Sequence, residues 1–196
     1  MQIHWSLLIP ALILLFYPLD MWLKRHVRLR DFEYMRNGRR HGRHAWWRQS
    51  WVWMDPARAF TGAWVLRSAW TVDEPAGDSW YNLPFIATLA VLALALGCQM
   101  YTRRDEVLFA PVGFCAGLLF VVMPPQIAVL VLTLALTCLM AFRGWSAYFV
   151  AGALAAALLG VILMRLDLWI VAAVVLLIEP FVVSWVAQRE LLVPIR

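Results

Sequence analysis

The chain has 196 residues, 63% of them hydrophobic and 15% charged, with a net charge of +5 and a mean hydropathy of +0.72. A soluble domain carries about 45–50% apolar and 25% charged residues, so this composition excludes one and points to an integral membrane protein. The three cysteines, Cys98, Cys115 and Cys138, lie in apolar runs without metal-ligand or redox spacing. That argues against a disulfide framework and suits small buried packing residues.

A bilayer core about 30 Å thick takes roughly 17–25 apolar residues in helical form. Six segments come close to that, residues 3–23, 80–101, 107–123, 126–142, 145–164 and 168–187. In the first, Trp5 and Trp22 stand about 25 Å apart along a helix, a spacing that suits two interfacial anchors. No basic region precedes its apolar run and no small-residue cleavage pattern follows, so it reads as a retained anchor rather than a cleaved signal peptide. The positive charges after it predict a cytoplasmic C-terminal end for this helix and Met1 outside, with a bacterial inner membrane as the expected location.

Those charges are concentrated. Residues 24–58 hold Lys24, Arg25, Arg28, Arg30, Arg36, Arg39, Arg40, Arg43, Arg48 and Arg58, ten of the seventeen basic residues, against Asp31, Glu33 and Asp55. The stretch "RNGRRHGRHAWWRQSWVWMD", residues 36–55, adds four tryptophans. Arginines beside an anchor are drawn to anionic headgroups by about 1 kcal/mol each, and tryptophan rings prefer the same layer. Arginine and tryptophan are also the preferred anchors of protein interfaces. Arg36, Arg39, Arg40, Arg43, Trp46, Trp47, Arg48, Trp51 and Trp53 are therefore the candidate binding surface, for anionic lipid or for a protein partner in a membrane complex. No RNA- or DNA-binding motif frames the charges, so no nucleic-acid partner is expected. His41 and His44 are three residues apart but lack a neighbouring carboxylate or thiolate, so neither a metal nor another cofactor is expected.

In "DPARAFTGAWVLRSAW", Asp55 and Pro56 form a helix start signal and predict a helix over residues 56–70. Ala59, Ala63, Leu66 and Trp70 share one face, Thr61 and Ser68 lie opposite, and Arg58 and Arg67 flank them, a pattern that suits the interface plane. Topology then meets a conflict. With six crossings, Arg103, Arg104, Arg143, Arg189 and Arg196 fall outside and the acidic "TVDEPAGDS" inside, against the charge rule. A crossing or re-entry at residues 46–70 reverses this, but Arg48, Asp55, Arg58 and Arg67 then have to be accommodated in the membrane, at a cost of several kcal/mol. The expected fold is an all-α polytopic transmembrane bundle, about six spanning helices plus one interfacial or re-entrant amphipathic helix, with the side of the C-terminus open. It divides into an N-terminal anchor (1–23), a basic tryptophan-rich loop with the interfacial helix (24–79) and a five-helix bundle (80–196).

Further along, "MPPQ" predicts a tight turn between two short helices, and Arg143-Gly144 and Arg165-Leu166-Asp167 break the remaining apolar tract. Small residues in "AGALAAALLG", residues 151–160, predict close helix packing through Gly152 and Gly160, inside the bundle or at an oligomer interface. Glu179 in "LLIEPFVVSW" lies about 16 Å into the last helix, near the midplane. An ionised carboxylate is costly there, so Glu179 is expected to face the bundle or a hydrated cavity. Its expected roles are a hydrogen bond to a group such as Thr133 or Thr137, a proton or ion relay, or a salt bridge to another subunit. Pro180 frees the carbonyl of Leu176 one turn earlier.

No nucleotide loop, nucleophile elbow, HExxH, EF-hand or paired-cysteine motif occurs. Carboxylate–histidine chemistry at the surface has its first candidate in His26 with Asp31 and Glu33, where a solvated charge cluster is the plainer reading. The function expected from the sequence is that of a non-catalytic integral membrane subunit or scaffold. The alternatives are a small transporter or channel with Glu179 as the coupling residue, and behind it a lipid-directed enzyme.

Overall fold

The computed structural model describes residues 2–17, 28–30, 50–71, 83–101, 107–165 and 167–195. Seven helices occur among them: α1 (Trp5–Phe16), α2 (Ser50–Ser68), α3 (Leu83–Met100), α4 (Val112–Val122), α5 (Pro125–Phe142), α6 (Trp145–Met164) and α7 (Leu168–Ala187). Short strands sit at the helix ends: β1 (Gln2–Ile3), β2 (Arg28–Arg30), β3 (Trp70–Thr71), β4 (Val107–Phe109) and β5 (Glu190–Ile195). Helices α3, α5, α6 and α7 are long and apolar enough to cross a bilayer, while α1 and α4 are apolar but only 12 and 11 residues long. The chain is a multi-pass helical membrane bundle. α6 and α7 match their expected bounds, and α4 starts five residues later than expected because residues 107–109 pair as a strand instead.

Local chemistry explains the breaks. Met123 is extended ahead of Pro124, and Pro125 opens α5, where a missing N–H costs no helical bond. α5 ends on Arg143 in the left-handed region (φ 57°), its N–H bonded to the Leu139 carbonyl at 2.8 Å. The Asp167 side chain caps α7 by accepting from the Trp169 amide at 3.1 Å. At the far end the Ser184 hydroxyl donates to the Arg189 carbonyl at 2.5 Å.

Neighbouring ends show that the helices alternate in direction. At one end the Gln99 amide donates to the Leu15 carbonyl at 2.9 Å, which brings the C-termini of α1 and α3 together. β5, which follows α7, pairs antiparallel with β2 and parallel with β4, so the segments after α1, α3 and α7 meet in one three-stranded sheet. At the opposite end the His4 amide donates to the Ala69 carbonyl at 3.0 Å, beside the β1–β3 pair. Phe85 of α3 stacks edge-on against Trp169 of α7 there, with ring centroids 5.2 Å apart. α2 therefore runs antiparallel to α1, packed along it and along α4.

α2 departs from its expected bounds. It is longer than anticipated and contains Pro56 within it rather than at its start. Ala59, Ala63 and Leu66 form its buried face, as their spacing predicts. What covers them is protein: Leu14 and Leu15 of α1 lie against Gly62, and Gly117 of α4 lies against Pro56 and Ala59. The outward hydroxyls are satisfied within their own helix. Thr61 and Ser68 donate to the carbonyls of Ala57 and Trp64, as Thr88, Thr133 and Thr137 do to carbonyls four residues earlier. Hydroxyls that bond back onto the helix suit surfaces without water.

The core joins α3, α4, α6 and α7 through Leu92, Leu96, Phe114, Leu118, Phe149 and Leu176. Gly152 faces Ala135 and Leu177, and a Cβ on Gly160 would stand 2.8 Å from Ile170 Cγ2. The small residues of α6 thus serve packing within the bundle. Leu154, Leu158 and Ile162 are exposed on α6, as are Leu130 and Leu134 on α5, which presents an apolar surface to lipid. Of the cysteines, Cys115 is buried as expected, but Cys98 is exposed and Cys138 only half-buried.

Candidate functional site

The polar groups of the interior gather where α2, α4 and α7 approach the sheet end. Asp55 and Arg58 of α2 are mostly buried, 19% and 11% exposed, and form an ion pair at 2.8 Å. Each also reaches another helix. The Asp55 carboxylate accepts from the backbone N–H of Phe114, in the first turn of α4, where amides lack intrahelical partners and an anion is favoured. The Arg58 guanidinium donates to the carbonyl of Tyr17, the C-cap of α1, and lies 5.3 Å from the Phe114 ring centroid. Asp55, expected to cap α2, instead caps α4.

Arg67 repeats this arrangement at the other end. Its guanidinium donates to the Val121 carbonyl in the last turn of α4 at 3.1 Å and lies 4.5 Å from the Trp169 ring centroid. Both arginines thus meet the carbonyl end of a short helix, the end that favours cations. Arg58 and Arg67 are about 14 Å apart along α2, and the residues between them carry no formal charge. Of the charges that oppose membrane burial in the sequence, Asp55, Arg58 and Arg67 lie at the two ends of the packed stretch, each with a partner.

Deeper inside is Glu179. Its Oε1 lies close to Gly97 of α3, such that a Cβ there would stand 3.4 Å away, and its buried Oε2 has no hydrogen-bond partner among the described residues. Thr133 and Thr137 are not its partners, since both hydroxyls donate within α5, to Val129 and Thr133. One turn before Glu179 the Leu176 carbonyl, which Pro180 deprives of its helical donor, has the Cys115 thiol at 4.0 Å. Cys115 lies within electrostatic range of both Glu179 and Asp55. Sequence reading located Glu179 and the free carbonyl but missed Cys115 and Gly97, whose only signal was their position in apolar helices.

The tryptophan-rich stretch is represented by Trp53, which is exposed on the first turns of α2. Arg36, Arg39, Arg40, Arg43, Trp46, Trp47 and Arg48 lie outside the described residues, as do His26, Asp31, Glu33, His41 and His44, and the side chain of Trp51 is likewise not described. All of them but Trp51 belong to residues 18–49, between α1 and α2. Among the described residues, an open pocket of about 450 Å³ between the start of α6 and the end of α7 is lined by Trp145, Ser146, Ser184, Trp185, Gln188 and Arg189. No group of three or more metal-ligating side chains occurs among the described residues. Comparison with protein-family models, with curated proteins and with solved structures found no match for the chain.

Proposed function

We propose that the protein is a non-catalytic integral membrane subunit, anchored by seven helices that include α2, which docks anionic lipid or an acidic partner through the segments at its sheet end. One observation carries this reading: the segments that join or extend helices at that end, 18–49, 101–111, 143–144 and 188–196, contain fourteen of the chain's seventeen basic residues. With α2 as a crossing, Arg165 is the one basic residue in a segment joining helices at the opposite end, and the charge distribution agrees with the positive-inside rule. The sheet end then faces the cytoplasm, of a bacterial inner membrane on this reading, and the acidic segment around Asp73, Glu74 and Asp78 faces outside. Arg36, Arg39, Arg40, Arg43 and Arg48, with Trp46, Trp47, Trp51 and Trp53, are the docking residues. Purification of the full chain in mild detergent tests the proposal. A stoichiometric partner or retained anionic lipid is the expected result, and a lone, lipid-free, monodisperse protein that moves a solute across liposomes contradicts it.

Replacing Arg36, Arg39, Arg40, Arg43 and Arg48 together with glutamine is expected to weaken that association more than tenfold, since each arginine contributes about 1 kcal/mol at an anionic surface. The wild-type association falls as salt is raised, and that of the variant starts lower and changes less. Binding measured across a salt series checks this; coincident curves leave the arginines a topological role only. The transporter alternative has one feature in its favour, the interior carboxyl of Glu179.

A further inference from the structure

Glu179 is the one acidic side chain of α7, and no cation pairs with it among the described residues. Of the elements packed against α7, α3 and α6 contain no Lys, Arg, Asp or Glu, and their titratable side chains are Cys98, which is exposed, and Tyr148, which is buried. α4 contributes the Cys115 thiol. The described arginines of α2 are engaged elsewhere, Arg58 by Asp55 and the Tyr17 carbonyl and Arg67 by the Val121 carbonyl and the Trp169 ring. A carboxylate left charged here, without a cationic partner, is costly. The surroundings instead suit a carboxyl that holds a proton: one oxygen beside Gly97, the other buried without a hydrogen-bond partner among the described residues, and a proline-freed carbonyl one turn away with a thiol near it.

We propose that the Glu179 carboxyl, set against Gly97 and beside the Cys115–Leu176 contact, is a reversible proton-binding site inside the bundle. Its side chain is half-buried. The site stands independently of docking at the basic end.

Dicyclohexylcarbodiimide, an apolar reagent that partitions into membranes, tests it on the full-length protein in vesicles. It takes up the carboxyl proton on a nitrogen and the carboxyl oxygen on its central carbon, so it reports protonated carboxyls as an added mass. Peptide mass spectrometry is expected to find Glu179 modified several-fold more at acidic than at alkaline pH. Asp55, held by Arg58 and the Phe114 amide, is expected to stay unmodified, and Glu179→Gln to remove the signal. Gly97→Leu fills the space beside Oε1 and is expected to lower the labelling. Absent labelling of the wild type at every pH, or equal labelling at acidic and alkaline pH, overturns the proposal. Protection by sodium or potassium at constant pH also overturns it, since the site then holds a metal cation rather than a proton.

Discussion

Arg58→Met is expected to lower the stability of the folded bundle by about 3–5 kcal/mol, the cost of stripping one partner from a mostly buried ion pair. The size follows from what is left behind. Asp55 keeps the Phe114 amide but loses the cation that offsets its burial, and the Tyr17 carbonyl at the end of α1 loses its donor. Methionine preserves much of the side-chain volume, so the loss is electrostatic rather than a cavity. Asp55→Asn in the same chain removes the stranded charge and is expected to restore part of the loss, with a coupling energy of about 0.5–3 kcal/mol in a double-mutant cycle. Unfolding in mild detergent, followed for the wild type, both single variants and the double, measures that coupling. Strictly additive losses contradict the clamp between α1, α2 and α4.

Gly117→Ala is expected to cost about 3 kcal/mol, the upper part of the usual range for overpacking. A Cβ at this position would stand 2.2 Å from the Pro56 carbonyl oxygen and 3.0 Å from the Phe60 nitrogen. Both are backbone atoms of α2, so relief requires the two helices to separate. Separation in turn pulls Asp55 from the Phe114 amide and Arg67 from the Val121 carbonyl. Gly144→Ala is the matched control. Its Cβ meets nothing closer than the Phe142 carbonyl at 3.9 Å, and its effect is expected within about 1 kcal/mol, the loss of a glycine N-cap on α6. Equal thermal stability of the two variants contradicts the close α2–α4 contact.

These two sites also mark how far the sequence was legible. Hydrophobic run length located the membrane helices, and the proline pair and the two arginine breaks placed the boundaries around α5, α6 and α7, because those signals are local. The buried face of α2 was legible too, since Ala59, Ala63 and Leu66 recur at helical spacing. What covers that face was not. An alanine stripe with flanking arginines suits headgroups and neighbouring helices equally, and only the third dimension brings α1 and α4 against it. Asp55 followed by proline resembles a local cap, whereas its amide partner is 59 positions away. Arg58 and Arg67 looked like a burial cost because pattern alone does not reveal the carbonyls of Tyr17 and Val121. In the interior, Pro180 announced a free carbonyl, but nothing near it in sequence indicated that Cys115 lies beside it.

The test of α2 as a membrane-crossing helix is the sidedness of the segments it separates. Reporter fusions after Arg40, Pro75, Asp105 and Arg196 compare them directly, since α2 lies between the first and second and α3 between the second and third. With α2 crossing, Arg40, Asp105 and Arg196 report the cytoplasm and Pro75 alone reports the opposite side. A cytoplasmic signal at Pro75 together with an external signal at Asp105 contradicts it, and returns α2 to the membrane surface.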